Sequence, residues 1–498
     1  MITESSDTVP LYPKDAINKL SDDMLLVIFR FCLEKAFVGG GRAYDGWHDL
    51  VHVCQRWRCL VFASPGHLDL RLLCTSRRPV GNLLNIWPAL PIVVQDYTKT
   101  LRPQGMMDMI VALQQHHRVC KVEINAIPNP LLINFMVMSM PYPVLTDLEL
   151  RSNDRATPAL PGYFLGGFAP RLRSLKLQRI PFPSLPTLLY SATNLVTLHL
   201  FEIPQSGYVS PVAIVTALSM LTRLKHLHLD FDPSQPWAYV ELRHIFLKRI
   251  VLPALTEFYL WSGGDYMEDV ISKIDTPLLN VARIAFSSQP DSDTPLLRDF
   301  ISRTEVFKEL HRAKVAISKD SVHLTLSQPD KKPDDKMLKL RFSCNAPDWR
   351  FSLLSRICNS LLPPLPTLEY LEVFADRLDW RDDMESAQWL GLLRPFASVK
   401  DLVLFDDLIK LVAPALQQLT GERVSEVLPA LQNLFLKGSS PSAPSQPVQE
   451  AIEQFLVARQ LSGQPVTLHY WVYRSERGAQ KAGEWMVLHK GFHSLSDG

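Results

Sequence analysis

The chain has 498 residues, 47% of them hydrophobic, with 52 basic residues against 51 acidic ones and a formal net charge of +1. That composition provides for a large core and excludes disorder as the main state, and the even balance lacks the electrostatic footprint of a nucleic-acid binder. No apolar run reaches the eighteen or so residues of a membrane helix, and the opening MITESSDTVP is polar and acidic rather than a signal sequence. A cytoplasmic or nuclear protein with neither a membrane nor a nucleic-acid partner is expected. The seven cysteines lack paired spacing and predict buried free thiols rather than a disulfide framework.

Residues 1–16 read as a flexible N-terminus. From 17 to 65 two amphipathic helices are expected. Leu25, Ile28, Phe29 and Cys32 fall at i, i+3, i+4, i+7, and Leu50, Val53, Cys54, Trp57 and Leu60 repeat the pattern after a break at Gly39, Gly40 and Gly41. Ser21 is placed to cap the first helix, with Asp22 and Asp23 in its first turn, where the helix dipole favours negative charge. So much apolar surface in so few residues exceeds what the pair can bury against itself, and the remainder points to a partner.

Residues 66–117 read as a connector with the first solenoid elements: a short strand in DLRLLCT, a short helix in RPVGNLLNIW and a strand in PIVVQDY. Over 118–437 one pattern recurs, apolar-x-x-apolar-x-apolar. It is carried by Val119, Val122, Ile124; by Leu145, Leu148, Leu150; by Leu195, Leu198, Leu200; and on to Leu431, Leu434, Leu436. The last two apolar residues of each copy point to one side of a strand and the residue between them to the other. Helical segments such as VAIVTALSML, YMEDVISKI, FSLLSRICNSLL, ESAQWLGLLRPF and DLIKLVAPALQQL lie between copies. Each strand and helix must stack on a neighbour to bury its apolar face, which predicts an α/β solenoid, strands on a concave side and helices outside.

Near 305–345 the pattern fails, and VAISKDSVHLTLSQPDKKPDDKMLKLRFSC predicts a hairpin. Residues 438–447 read as a Ser/Pro-rich linker, and 448–498 as a helix and strand that cap the stack, with a tail. Residues between and just after the strand leucines should line the concave face. Among them the aromatics Phe201, Tyr259, Trp261, Phe374, Phe405 and Phe435 are candidate target-binding residues, unless loops or the irregular segment cover them.

No catalytic constellation emerges. GxSxG, HExxH and Gly-rich dinucleotide motifs are missing from the sequence. His48 and His52 at i, i+4 with Cys54 and Cys59 form a conceivable zinc set, but Cys54 belongs to the apolar face. The pairs Asp382 and Asp383, and Asp406 and Asp407, read as loop or capping residues. No enzyme, cofactor or metal is expected.

Residues 17–65 resemble the F-box, the helical module that docks substrate receptors on the Skp adaptor of cullin-RING ubiquitin ligases. The match is Leu20, Ser21, Asp23, Leu25, Ile28 and Phe29, then Val53, Cys54, Trp57, Arg58 and Leu60, with Ser21 where proline is usual. An F-box followed by leucine-rich repeats is similar to the arrangement of fungal F-box proteins. The resemblance implies an N-terminal helical F-box followed by a curved leucine-rich-repeat-like solenoid. It also implies adaptor contacts through Leu20, Leu25, Ile28, Phe29, Val53, Trp57 and Leu60, and a protein substrate held by the repeats. The alternative is a non-ligase scaffold whose F-box-like helices only cap the solenoid.

Overall fold

The computed structural model describes residues 17–38, 46–98 except 88, 102–132 except 130, 140–231 except 155, 248–286, 294–328 except 319, 336–343, 357–358, 367–375, 386–438 except 406, 445–474 and 482–492. The chain divides into two compact units, Met1–Ser174 and Leu175–Gly498.

In the first unit, α1 (Asp22–Val38) starts where expected: the Ser21 Oγ accepts the Met24 N–H at 3.3 Å, and Asp22 and Asp23 stand in the first turn. The second expected helix is in fact two, α2 (Trp47–Val51) and α3 (Gln55–Ala63). The chain is extended at Cys54 (φ −159°, ψ 169°), and the Cys54 Sγ accepts the Trp57 N–H at 3.5 Å as the N-cap of α3. Placing Val53 and Cys54 on the buried face of one helix is therefore corrected: the cap geometry takes both out of helical phase, and both are exposed.

Four strands follow in this unit, β1 (Leu72–Cys74), β2 (Ile92–Asp96), β3 (Val119–Ile124) and β4 (Asp147–Arg151). They pair in that order and all in parallel. Between them run α4 (Val80–Ile86) and α5 (Pro103–Gln114), the latter opening on proline, whose missing N–H costs nothing at a helix start. Strand and helix thus alternate from β1 onward in this unit.

The second unit carries β5 (Ser174–Gln178), β6 (Thr197–Ile203), β7 (His226–Phe231), β8 (Ile250–Val251), β9 (Glu257–Ser262), β10 (Ile274–Asp275) and β11 (Val281–Phe286). After them come β12 (Arg312–Ile317), β13 (Ser321–Ser327), β14 (Met337–Ser343), β15 (Tyr370–Ala375), β16 (Asp401–Phe405), β17 (Asn433–Lys437), β18 (Thr467–Arg474) and β19 (Ala482–Phe492). Strands β6, β7, β9 and β11 are parallel neighbours, as are β15, β16, β17 and β18. Helices Pro211–Leu218, Gly264–Ser272, Ser386–Leu393 and Asp407–Gln417 stand where the sequence places them. FSLLSRICNSLL falls largely outside the described residues, as do Asp382, Asp383 and Asp406.

Most copies of the motif share one construction. The first apolar residue of a copy closes a turn onto the carbonyl three residues back, as Leu195 does on Ala192 (3.0 Å), Leu224 on Leu221 (3.1 Å) and Leu431 on Leu428 (3.1 Å). The other two enter the core: Leu198, Leu227, Phe258, Leu371, Leu402 and Leu434 are all buried. At roughly 2 kcal/mol for each fully buried side chain, this periodic burial outweighs any single surface contact. The position three past the motif, usually asparagine in such repeats, is taken by buried Ile180 and Ile203, which pack instead of hydrogen bonding.

The irregular segment is larger than a hairpin. Strands β12, β13 and β14 form an antiparallel meander, yet β14 lies parallel beside β11 and β12 parallel beside β15. The lateral order is β11, β14, β13, β12, β15. At the C-terminal end the expected helix (Gln446–Leu461) and strand β18 are present, and β19 adds an antiparallel partner to β18. The six described cysteines are free, but only Cys74 and Cys358 are buried, so the expectation of buried thiols holds for those two alone.

Arg459 fastens the terminal helix. Its side chain is fully buried, and its guanidinium donates to the carbonyls of Val424 (3.2 Å) and Leu428 (2.5 Å) and to Gln464 Oε1 (2.7 Å). Burial pulls its pKa below the usual arginine range, while the carbonyls replace lost water. Arg459→Ala should lower stability by about 3 kcal/mol in urea unfolding, whereas Leu461→Ala, on the same helix but exposed, should leave it unchanged. Equal effects would refute the fastening role.

Candidate functional site

Two exposed surfaces are candidates for function, one in each unit. The first lies on α1. Leu25 and Phe29 are buried, and Phe29 packs on Trp57 with ring centroids 4.6 Å apart. Arg56 ties α3 to the start of α1, donating to Leu20 O and Asp22 Oδ1, both at 2.7 Å. Arg58 Nε reaches Val51 O at 3.0 Å. The residues of Val-Cys-x-x-Trp-Arg thus serve mainly the module itself: Cys54 caps, Trp57 packs and Arg58 binds backbone.

Of the residues the resemblance assigns to the adaptor, Leu25 and Phe29 lie inside the module, and Leu20, Trp57 and Leu60 are half-buried. Only Ile28 (39% exposed) and Val53 (59%) face outward. The reading that put Leu25, Ile28, Phe29 and Cys32 on one face is corrected, since Leu25 and Phe29 turn inward while Ile28 and Cys32 turn outward. The outward face of α1 is instead Met24, Val27, Ile28 and Phe31, spaced i, i+3, i+4, i+7, with Phe31 62% exposed. Sequence reasoning missed Met24, Val27 and Phe31, although a helix apolar on all sides carries the signal for a second apolar stripe.

The second surface is the face of the second unit's sheet opposite its core. Phe201, Tyr259, Trp261, Phe374, Phe405 and Phe435 all stand on it, half-buried, each directly after a buried strand residue. They form two groups. Near β6, β7 and β9, His228 lies 3.9 Å from Tyr259, 5.3 Å from Phe201 and 5.7 Å from His199 between ring centroids. Near β15 to β18, Phe374 and Phe405 are 6.2 Å apart, and Phe435 stacks on His469 at 4.3 Å. Lys437 reaches both Phe405 (5.1 Å) and Trp471 (5.0 Å). Between the groups sit β11, β14, β13 and β12. The described strands of the irregular segment therefore extend the sheet between the two groups.

His228 shows how dry part of this face is. Burial, with His199 and Arg283 nearby, pushes its pKa down to about 3, and its Nε2 is buried without a hydrogen-bond partner among the described residues. A neutral imidazole wedged among aromatic rings is a packing element. Among the described residues no group of three His, Cys, Asp or Glu is placed to hold a metal, and no helix is long and apolar enough to cross a membrane. His48 and His52 lie against Trp87, at 4.8 and 6.3 Å.

The geometry defines a repeat protein of stacked strand–helix units that presents two surfaces of different chemistry. Among solved structures, the chain is similar to the leucine-rich repeat-containing protein LegL7 from Legionella pneumophila, with 10% identity, 78% of this chain and 97% of that chain covered, and a TM-score of 0.27. No protein-family model matches the chain, and no curated protein does.

Phe29→Ala should cost about 3 kcal/mol of stability, while Ile28→Ala and Val53→Ala should stay within about 0.5 kcal/mol, as read by urea unfolding. Acid should reveal His228. Unfolded chains bind its proton near pH 6.5 and the folded protein only near 3, so stability present above 6.5 is lost as pH falls toward 3. His228→Phe should flatten that part of the stability profile, and an unchanged profile would show that other groups carry it.

Proposed function

We propose that the chain is the substrate-recognition subunit of a Skp-cullin-F-box type ubiquitin ligase, docking on the Skp adaptor through α1 and holding a protein target on the sheet face of its repeats. The observation that carries this reading is the stripe of Met24, Val27, Ile28 and Phe31, exposed at helical spacing on the module that resembles an F-box. Four neighbouring apolar side chains in water are unfavourable by about 25 cal/mol per Å² of apolar surface, a penalty that a partner helix removes. The half-buried aromatics of the repeats suit a protein target in the same way. On this reading the chain is not itself an enzyme and works in the cytoplasm or nucleus.

A second reading is favoured by the inward packing of Leu25, Phe29 and Trp57. It treats the helices as a structural cap on a non-ligase interaction scaffold. Co-purification with the Skp adaptor separates the two. Val27→Asp with Phe31→Asp should abolish capture, at least tenfold, with no shift in the unfolding midpoint, because both side chains face solvent. If the unmodified chain captures no more adaptor than this double variant does, the docking proposal fails and the scaffold reading stands.

A further inference from the structure

The middle of the second unit's sheet has a charge pattern of its own. Ile284, Leu340, Leu324 and Val315 on β11, β14, β13 and β12 are buried, so their alternating neighbours share the opposite face. On that face the four strands carry Arg283, Lys339, Arg341, Arg312 and Lys314, together with alanine, serine, threonine, valine, methionine and His323, and no carboxylate. The register places Arg283 opposite Lys339, Lys339 opposite Thr325, and Thr325 opposite Lys314. A chain of near-zero net charge has gathered five cations on one small area.

Like charges directly across a strand pair are destabilising, and only part of this charge is answered from within. Lys314 pairs with Glu372 at 2.7 Å, and Arg312 stacks on Tyr370 at 4.0 Å. Lys339 and Arg341 make no ion pair among the described residues, and the buried Arg341 Nε has no hydrogen-bond partner there. Burial first, then the charges of Arg341 and Lys339, hold His323 down to about 4 against the opposing pull of Asp320.

The patch is bounded. On one side Arg341 lies 5.8 Å from the ring of Trp261, and on the other Lys314 lies 4.5 Å from Phe374. Glu257 on β9 and Glu372 on β15 stand on the same face at its two flanks. Four strands at about 4.8 Å spacing make the cationic zone about 14 Å wide, the reach of about four extended residues. A nucleic acid needs a longer positive track and would meet those carboxylates on leaving this one.

We infer that the outer face of β11, β14, β13 and β12 binds an extended acidic peptide segment, about four carboxylate-bearing residues over the cations with apolar side chains against Trp261 and Phe374. This rests on the proposal that the repeats hold a protein target, and it names the chemistry of that target.

The test uses the full chain and a fluorescein-labelled peptide of four glutamates flanked by leucines, against the same peptide with glutamines and a labelled single-stranded oligonucleotide of twelve thymidines. Fluorescence anisotropy should show the glutamate peptide binding at least tenfold tighter than the glutamine one, with affinity falling as salt rises. Lys339→Gln with Arg341→Gln should weaken it at least tenfold at an unchanged unfolding midpoint, and Lys314→Gln, at an exposed position, should weaken it too. Equal binding of the two peptides, indifference to these substitutions, or tighter binding of the oligonucleotide would each overturn the inference. The Val27→Asp, Phe31→Asp chain should bind the peptide as the unmodified chain does. Peptide binding without adaptor capture would thus sink the ligase reading alone, and adaptor capture without peptide binding would sink this inference alone.

Discussion

Each repeat of the second unit passes a backbone hydrogen bond to the one before it. Lys225 N–H donates to Val196 O at 2.8 Å, Thr256 N–H to Lys225 O at 2.9 Å, and Asn280 N–H to Thr256 O at 2.9 Å. These bonds sit just ahead of the strands and set their phase. With the phase fixed, the apolar pair of every copy enters the core and the residue between them faces out. A slip of one residue would reverse both faces at once, exposing Leu227 and Leu229 and burying His226 and His228. The composition of the outer face is therefore as firmly specified as that of the core.

That specification allows chemistry to be sorted laterally. Along the sheet, the outer positions run from histidine and tyrosine through arginine and lysine to phenylalanine, with carboxylates at the junctions. No single repeat contains a site. A surface with apolar, cationic and again apolar zones is made by stacking and not by any one strand–helix unit. The first unit meets a different requirement with a single helix, whose two apolar faces serve two purposes: Leu25 and Phe29 hold the module together, and Met24, Val27, Ile28 and Phe31 remain outside it.

Much of this was legible in the sequence because the strand motif combines a spacing of two with obligatory burial, a combination that helices do not mimic. The six aromatics named from that spacing all stand on the outer face. What periodicity could not decide was which of two apolar stripes a helix buries. In α1 both stripes satisfy i, i+3, i+4, and only the positions of Trp57 and Arg56, brought from α3, choose between them. The break at Cys54 was illegible for a related reason: a thiol is a weak acceptor and an uncommon cap, so nothing in the residue type announced a turn. The cations of the middle strands were each visible in the text, but their convergence depends on β14, rather than β12, lying beside β11, and no local pattern encodes that order.

The meander has a parity that explains why the array tolerates it. Strands β14, β13 and β12 alternate in direction and number three, so the first and last run the same way. Polarity on entering the detour from β11 equals polarity on leaving it toward β15. An even number would have left the second half of the array upside down relative to the first, its helices connecting from the wrong ends of the strands. The detour behaves as a cassette whose insertion or removal leaves the direction of every other repeat untouched. Four of the five cations, Lys339, Arg341, Arg312 and Lys314, ride on the detour, while the course of the repeats on either side does not depend on it.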